Sequence, residues 1–120
     1  MKKTSRDHLE DIQHELTLVM QFIQEGKNAF LQDARTQYAV MMAYARIGEI
    51  VKQIPDEVLA RQAQMEWREI KGFRDVLIHR YFDVNMLRVW EAVEKLPVLQ
   101  MAVETLLDTL PTDDESDDTP

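Results

Sequence analysis

The chain has 120 residues, 45% of them hydrophobic, with three glycines and no cysteine. This length is that of one domain, and the lack of cysteine excludes disulfides, thiolate catalysis and zinc sites with sulfur ligands. The formal net charge of −8 argues against broad, nonspecific nucleic-acid binding, because such binding depends on Lys and Arg neutralising phosphates.

The negative charge is concentrated at the end of the chain. Residues 111–120 contain five acidic residues and no basic one, and they offer almost no apolar surface to bury. We therefore predict a disordered acidic tail after a helical domain that spans residues 1–110. Between Arg68 and Arg88 the balance reverses, because five basic residues outnumber three acidic ones.

Charged residues near the start of the chain indicate where the protein resides. After the polar and charged residues 2–8, charge returns at Glu10 and Asp11, so the start of the chain lacks the apolar segment that a signal peptide requires. No apolar run approaches the ~20 residues needed to cross a bilayer. We therefore expect a cytoplasmic protein without a membrane span.

The first half of the chain has the periodicity of amphipathic helices. Apolar residues spaced three and four apart predict a helix over residues 5–25, capped near Thr4 or Ser5 and ended by Gly26. Residues 36–54 carry a second broad apolar face. Two long helices are therefore expected before the middle of the chain.

The second half continues this pattern. Residues 55–66 are predicted to be a connector with one helical turn, and residues 67–81 a third long helix. Asp83 or Asn85 can cap the next helix, which Pro97 should kink or restart. No strand pattern, glycine-rich phosphate loop or repeat is visible. The predicted fold is all-α, an up-and-down antiparallel bundle of four to five helices.

One stretch of the third predicted helix concentrates reactive side chains. Arg74, His79 and Tyr81 follow the spacing Arg-x4-His-x-Tyr within an otherwise apolar run. A permanently charged guanidinium, an imidazole that titrates near neutrality and a phenol suit phosphodiester chemistry. On an ideal helix Arg74 and Tyr81 share a stripe, whereas His79 lies ~140° from Arg74. This geometry favours a site at a two-fold interface or a local distortion near the helix end.

The motif, together with the string from Trp67 to Phe82 and the pair Gly48-Glu49, resembles the HepT-like toxins of the HEPN superfamily. These are small all-helical proteins marked by Arg-x4-6-His, and the resemblance covers about residues 7–107. It implies a homodimeric ribonuclease toxin of a type VII-like toxin-antitoxin pair, without cofactor or metal. It also implies a nucleotidyltransferase antitoxin of the MntA type as partner.

The resemblance makes Arg74 and His79 the catalytic residues. The chemistry of RNA agrees, because the 2′-hydroxyl is the nucleophile and cleavage needs only a proton acceptor and stabilisation of the charged phosphorane. His79 suits proton transfer, and Arg74 can bond nonbridging phosphate oxygens. Products with 2′,3′-cyclic phosphate ends are expected.

Four further residues receive supporting or regulatory roles. By resemblance, Tyr81 is where some family antitoxins attach adenylyl groups. Asp75 stands where many relatives have asparagine, and its carboxylate could pair with Arg74 or orient His79. Glu49 could help form the cleft, although an acid on such a face is more often solvated or ion-paired. Arg80 partly compensates for the negative charge of Asp75.

Other interpretations of the same residues remain open. His8 and His14 are six residues apart, which is not a spacing that places two metal ligands on one helix face, so no metal site is predicted. The chain could be a catalytically silent helical module that is the partner or substrate of a nucleotidyltransferase. It could also be a purely structural dimeric bundle, in which Arg74 would be buried in an ion pair.

Overall fold

A computed structural model describes residues 2–111 of the chain, and these residues form helices and no strand. The all-α prediction is therefore confirmed. The predicted tail from residue 112 onwards lies outside the described residues. The α-helices are α1 Ser5–Phe22, α2 Gly26–Gln32, α3 Ala34–Gln53, α4 Asp56–Leu59, α5 Trp67–His79, α6 Met86–Glu94 and α7 Leu96–Thr109, with two short 3-10 turns at Ala60–Gln62 and Tyr81–Asp83.

Five of these helices correspond to the long helices that the periodicity predicts, α4 is the helical turn predicted within the connector, and α2 is a further short helix. α1 begins with a capping box, in which Thr4 Oγ1 accepts from the Asp7 amide at 3.1 Å and Asp7 Oδ2 accepts from the Thr4 amide at 3.0 Å. α1 ends at Phe22 rather than at residue 25. Gly26, with φ +90°, begins α2, because glycine tolerates the left-handed region at a turn between helices.

The ends of the later helices follow from local chemistry. The Trp67 indole Nε1 donates to the Leu59 carbonyl at 3.0 Å and ties the start of α5 to the connector. Asn85, rather than Asp83, caps α6 by accepting from the Leu87 amide at 2.8 Å. Pro97 lies in the first turn of α7, so it restarts the chain as a new helix instead of kinking an existing one.

α3 occupies the centre of the fold, where it packs against α1 on one side and α5 on the other. Its inward residues Val40, Ile47 and Val51 are completely buried. α7 closes the core by packing against α1, and α6 packs against α2. The helix that carries the motif is therefore anchored mainly through its contact with α3.

α3 and α5 approach closely at Gly48. A Cβ atom at this position would lie 2.3 Å from the Arg74 Cβ and 3.2 Å from the Ile70 carbonyl oxygen. Only glycine permits this separation of the two helix backbones. The contact sets where Arg74 leaves the backbone of α5.

No helix within residues 2–111 combines the length and apolar content that a bilayer crossing requires.

Replacing Gly48 by alanine should destabilise the protein. The added methyl group would force α3 and α5 apart, at a cost of about 1–3 kcal/mol in the free energy of unfolding. Gly72→Ala is a matched control, because a Cβ at Gly72 meets nothing within 4 Å. This second change should raise the free energy of unfolding by up to about 1 kcal/mol through helix propensity. Urea denaturation of both variants measures the difference, and equal stabilities would contradict the close approach.

Candidate active site

Arg74 leaves α5 toward α3 and is held there by two carboxylates. Its Nη1 donates to Asp75 Oδ1 at 3.0 Å, and its Nη2 lies 3.4 Å from Glu49 Oε1 on α3. The side chain is 21% exposed, and its Nε is buried without a hydrogen-bond partner among residues 2–111. This arrangement is the pairing with Arg74 that was one of the two roles considered for Asp75.

A fourth charge completes this group. Lys52 Nζ, in the last turn of α3, donates to the same Asp75 Oδ1 at 2.6 Å. The hydrogen bond from Lys52, and then that from Arg74, lowers the pKa of Asp75 below its usual range. We call Glu49, Lys52, Arg74 and Asp75 the four-charge cluster. Its two positive and two negative charges cancel formally.

Lys52 was not identified as a site residue from the sequence. It lies 23 residues before Asp75, so only the packing of α3 on α5 brings the two together. One available signal was its position three residues after Glu49, which places both side chains on neighbouring positions of one helix face. That signal alone does not indicate a partner on another helix.

His79 is the last residue of α5 and is exposed. No hydrogen bond or ion pair of its side chain is found within the described part of the chain, and the same holds for the Arg80 guanidinium. The five-residue spacing places His79 on a different face of α5 from Arg74. A single chain therefore does not join the two predicted catalytic residues through any such contact.

Tyr81 does not lie on α5, contrary to the prediction of a continuous helix over residues 67–81. The backbone of Arg80, with φ −136° and ψ 33°, leaves the helical region, and Tyr81 begins the 3-10 turn that follows. Tyr81 therefore no longer shares a helical stripe with Arg74. Tyr81 is 49% exposed, and its ring contacts that of Phe82, with centroids 4.1 Å apart and planes tilted by 32°.

A cleft of about 540 Å³ lies beside α5, but Arg74 and His79 do not line it. Its walls include Phe73 and Val76 of α5 together with Leu99 of α7. The predicted catalytic residues are thus not gathered in this cleft. No group of three or more His, Asp or Glu side chains that could hold a metal ion is found within residues 2–111.

The family model described as Ribonuclease HepT-like matches residues 12–106. The chain belongs to this family. The resemblance drawn from the motif is therefore confirmed. The match of this HepT-like chain extends from α1 to α7 and includes the complete Arg-x4-His-x-Tyr motif.

Several relatives resemble this HepT-like chain over most of their length. A probable ribonuclease HepT of Thermococcus cleftensis is 39% identical over 108 residues, which cover 88% of this chain and 98% of that protein. A protein of Caldanaerobacter subterraneus subsp. tengcongensis, provisionally named an RNase, is 35% identical over 107 residues. These residues are 88% of this chain and 96% of that protein. A protein of Methanocaldococcus jannaschii, also provisionally named an RNase, is 32% identical over 117 residues. These residues are 96% of this chain and 97% of that protein. No solved structure matches the chain significantly.

The titration of Asp75 tests the four-charge cluster. Because its pKa is lowered in the folded state, the pairing contributes stability above the pKa of the unfolded chain and loses that contribution as the pH falls through the folded pKa. Lys52→Met removes the first cause of the shift and should raise the titration midpoint of Asp75, measured by NMR of its side-chain carboxyl carbon. Lys71→Met, whose ammonium lies 3.9 Å from Asp56, is the control that should leave the midpoint unchanged. Equal midpoints in both variants would argue against the Lys52 contact.

Proposed function

We propose that this protein is a ribonuclease toxin that cleaves RNA through Arg74 and His79 and leaves 2′,3′-cyclic phosphate ends. The observation that carries the proposal is membership of the HepT-like ribonuclease family with the full motif present. The relatives named as ribonucleases support the same activity. The net charge of −8 disfavours broad electrostatic binding of RNA, so the proposal places RNA recognition at a local site.

The proposed reaction uses the nucleophile that RNA supplies. The exposed imidazole of His79 takes the proton of the 2′-hydroxyl, and the 2′-oxygen bonds to phosphorus. The bond from phosphorus to the 5′-oxygen breaks, and the leaving oxygen takes a proton from water. Arg74 donates to the nonbridging oxygens as their charge grows, an effect worth on the order of 3 kcal/mol per donor in other enzymes. These steps require no metal ion.

In this proposal the site is completed by a second copy of the chain. Support comes from the position of His79, which lies on a different face of α5 from Arg74. Two apolar residues of the same helix, Val76 and Ile78, are 39% and 42% exposed, and their burial in a homodimer would stabilise the dimer. A two-fold axis near the motif would bring Arg74 of one copy toward His79 of the other.

Loss of either motif residue should slow cleavage strongly. His79→Ala removes the proton acceptor and should lower the rate by about 100-fold or more. Arg74→Ala should have an effect of similar size, because it removes the donors to the phosphorane. Cleavage of a labelled RNA by the purified, unmodified protein is the measurement. Arg88→Ala, which changes an exposed arginine of α6 outside the motif, is the control.

Mixing the two inactive variants tests the shared site. A mixed dimer of Arg74→Ala and His79→Ala retains one intact Arg74 and one intact His79 on different copies. If the site is shared, equal mixing should restore about a quarter of the wild-type activity, because half of the dimers regain one of two sites. No recovery after verified exchange would place each site within one copy. An inactive wild-type protein would overturn the proposed activity itself.

A nucleotidyltransferase antitoxin would neutralise the toxin by adenylylating Tyr81. The tyrosine oxygen would attack the α-phosphate of ATP and release pyrophosphate, which adds bulk and negative charge near His79. Support comes from the exposure of Tyr81, at 49%, and from its hydroxyl, which makes no hydrogen bond to any described residue. The modified group would repel the phosphates of RNA.

Coexpression with a nucleotidyltransferase of the MntA type tests this regulation. The intact mass should increase in steps of one adenylyl group, and Tyr81→Phe should abolish the increase because the acceptor oxygen is gone. Tyr38→Phe is the matched control, since Tyr38 is 66% exposed but lies on α3. A mass increase that persists in Tyr81→Phe would show that the adenylyl group is attached to a residue other than Tyr81.

One observation favours a second candidate function. Arg74 already pairs with Glu49 and Asp75, as an arginine with only a structural role would. The chain would then be a silent module that a nucleotidyltransferase binds or modifies. Adenylylation of the wild-type protein together with an absence of cleavage before modification would support this candidate.

A further inference from the structure

Phe82 is the most exposed large apolar side chain among the described residues, at 86%. It lies in the 3-10 turn that follows α5, three residues after His79. An aromatic ring gains much of its stabilising effect from burial, so Phe82 adds little to the fold of a single chain. Packing within the core therefore does not explain why an aromatic residue lies here.

The turn holds the Phe82 ring in a defined arrangement. The Asp83 amide donates to the Arg80 carbonyl at 2.9 Å, and the Val84 amide donates to the Tyr81 carbonyl at 3.3 Å. Val84 packs against the core directly after the turn. The Tyr81 and Phe82 rings lie 4.1 Å apart at an interplanar angle of 32°. Phe82 thus rests on Tyr81 on one side and remains open to water elsewhere.

The residues beside this ring pair are polar. His79 and Arg80 precede it, are exposed and make no side-chain ion pair with described residues, and the exposed carboxylate of Asp83 follows it. A protein-binding surface is usually a contiguous apolar patch, whereas here two rings in contact lie between charged neighbours in the sequence. Stacked aromatic rings next to a cation are the usual platform for bases of a single strand.

We infer that the Tyr81–Phe82 ring pair is a base-stacking subsite for single-stranded RNA, which extends the site of Arg74 and His79 by one nucleotide. This inference rests on the proposed ribonuclease function. The open face of Phe82 would take a base, and Arg80 would lie near an adjoining phosphate. Duplex RNA would not use the subsite, because its bases already stack on each other.

Substitutions of Phe82 test the subsite. Phe82→Leu keeps an apolar side chain but removes the ring, and it should raise the KM for a single-stranded oligoribonucleotide by about five- to hundredfold with little change in kcat. Phe82→Trp should keep the low KM, and its fluorescence should be quenched when RNA binds. Phe22→Leu makes the same substitution on α1, at a residue that is 36% exposed, and should leave KM unchanged.

Two further measurements separate the possible failures. The dissociation constant of labelled single-stranded RNA, measured for His79→Ala with and without Phe82→Leu, reports binding without cleavage. Sedimentation velocity of every variant reports the oligomeric state. Weaker RNA binding by Phe82→Leu with unchanged sedimentation would support the subsite.

Other results would overturn the subsite. If Phe82→Leu cleaves and binds RNA like the wild type, the subsite is wrong while the proposed function stands. If Phe82→Ala instead changes sedimentation while Phe82→Leu behaves as wild type, Phe82 belongs to a protein interface. If the wild-type protein neither binds nor cleaves RNA, the proposed function fails first, and the subsite fails with it.

Discussion

The close packing of α3 on α5 at Gly48 is the constraint on which the rest of the candidate site depends. A side chain at Gly48 would collide with the Arg74 Cβ, at 2.3 Å, so the glycine lets the backbone of the motif helix lie directly against α3. At that separation Glu49 and Lys52, one residue and four residues further along α3, reach Arg74 and Asp75. A backbone contact thus decides which charges meet.

The resulting cluster balances two opposing requirements of the proposed chemistry. Glu49 and Asp75 hold the Arg74 guanidinium in place, which reduces the side-chain entropy that would otherwise be lost when a phosphate binds. The same carboxylates compete with the phosphate for the guanidinium. Lys52 moderates that competition, because it shares the carboxylate oxygen of Asp75 that Arg74 contacts. The aspartate is therefore part of a neutral network rather than an isolated negative charge.

The end of α5 divides the motif into a packed region and a solvent-exposed region. Arg74 lies in packed structure, whereas His79, Tyr81 and Phe82 lie at or beyond the helix end and face solvent. Residues at a helix terminus make fewer restraining contacts and are free to contact another molecule. In a site made from both regions, Arg74 is held by the packed helices, and the residues at the helix end remain accessible. In the proposed dimer, His79 of one copy would meet Arg74 of the other.

Periodicity and local chemistry along the chain were enough to predict the all-α class, a cap at Thr4 or Ser5 and an interruption at Pro97, and the motif was enough to predict the family. The tertiary structure decided the rest. Lys52 meets Asp75 across 23 residues of sequence, and α5 ends at His79 because the backbone turns away at Arg80. Such features depend on how closely two helices pack and on where a helix ends, which residue spacing along one helix does not specify.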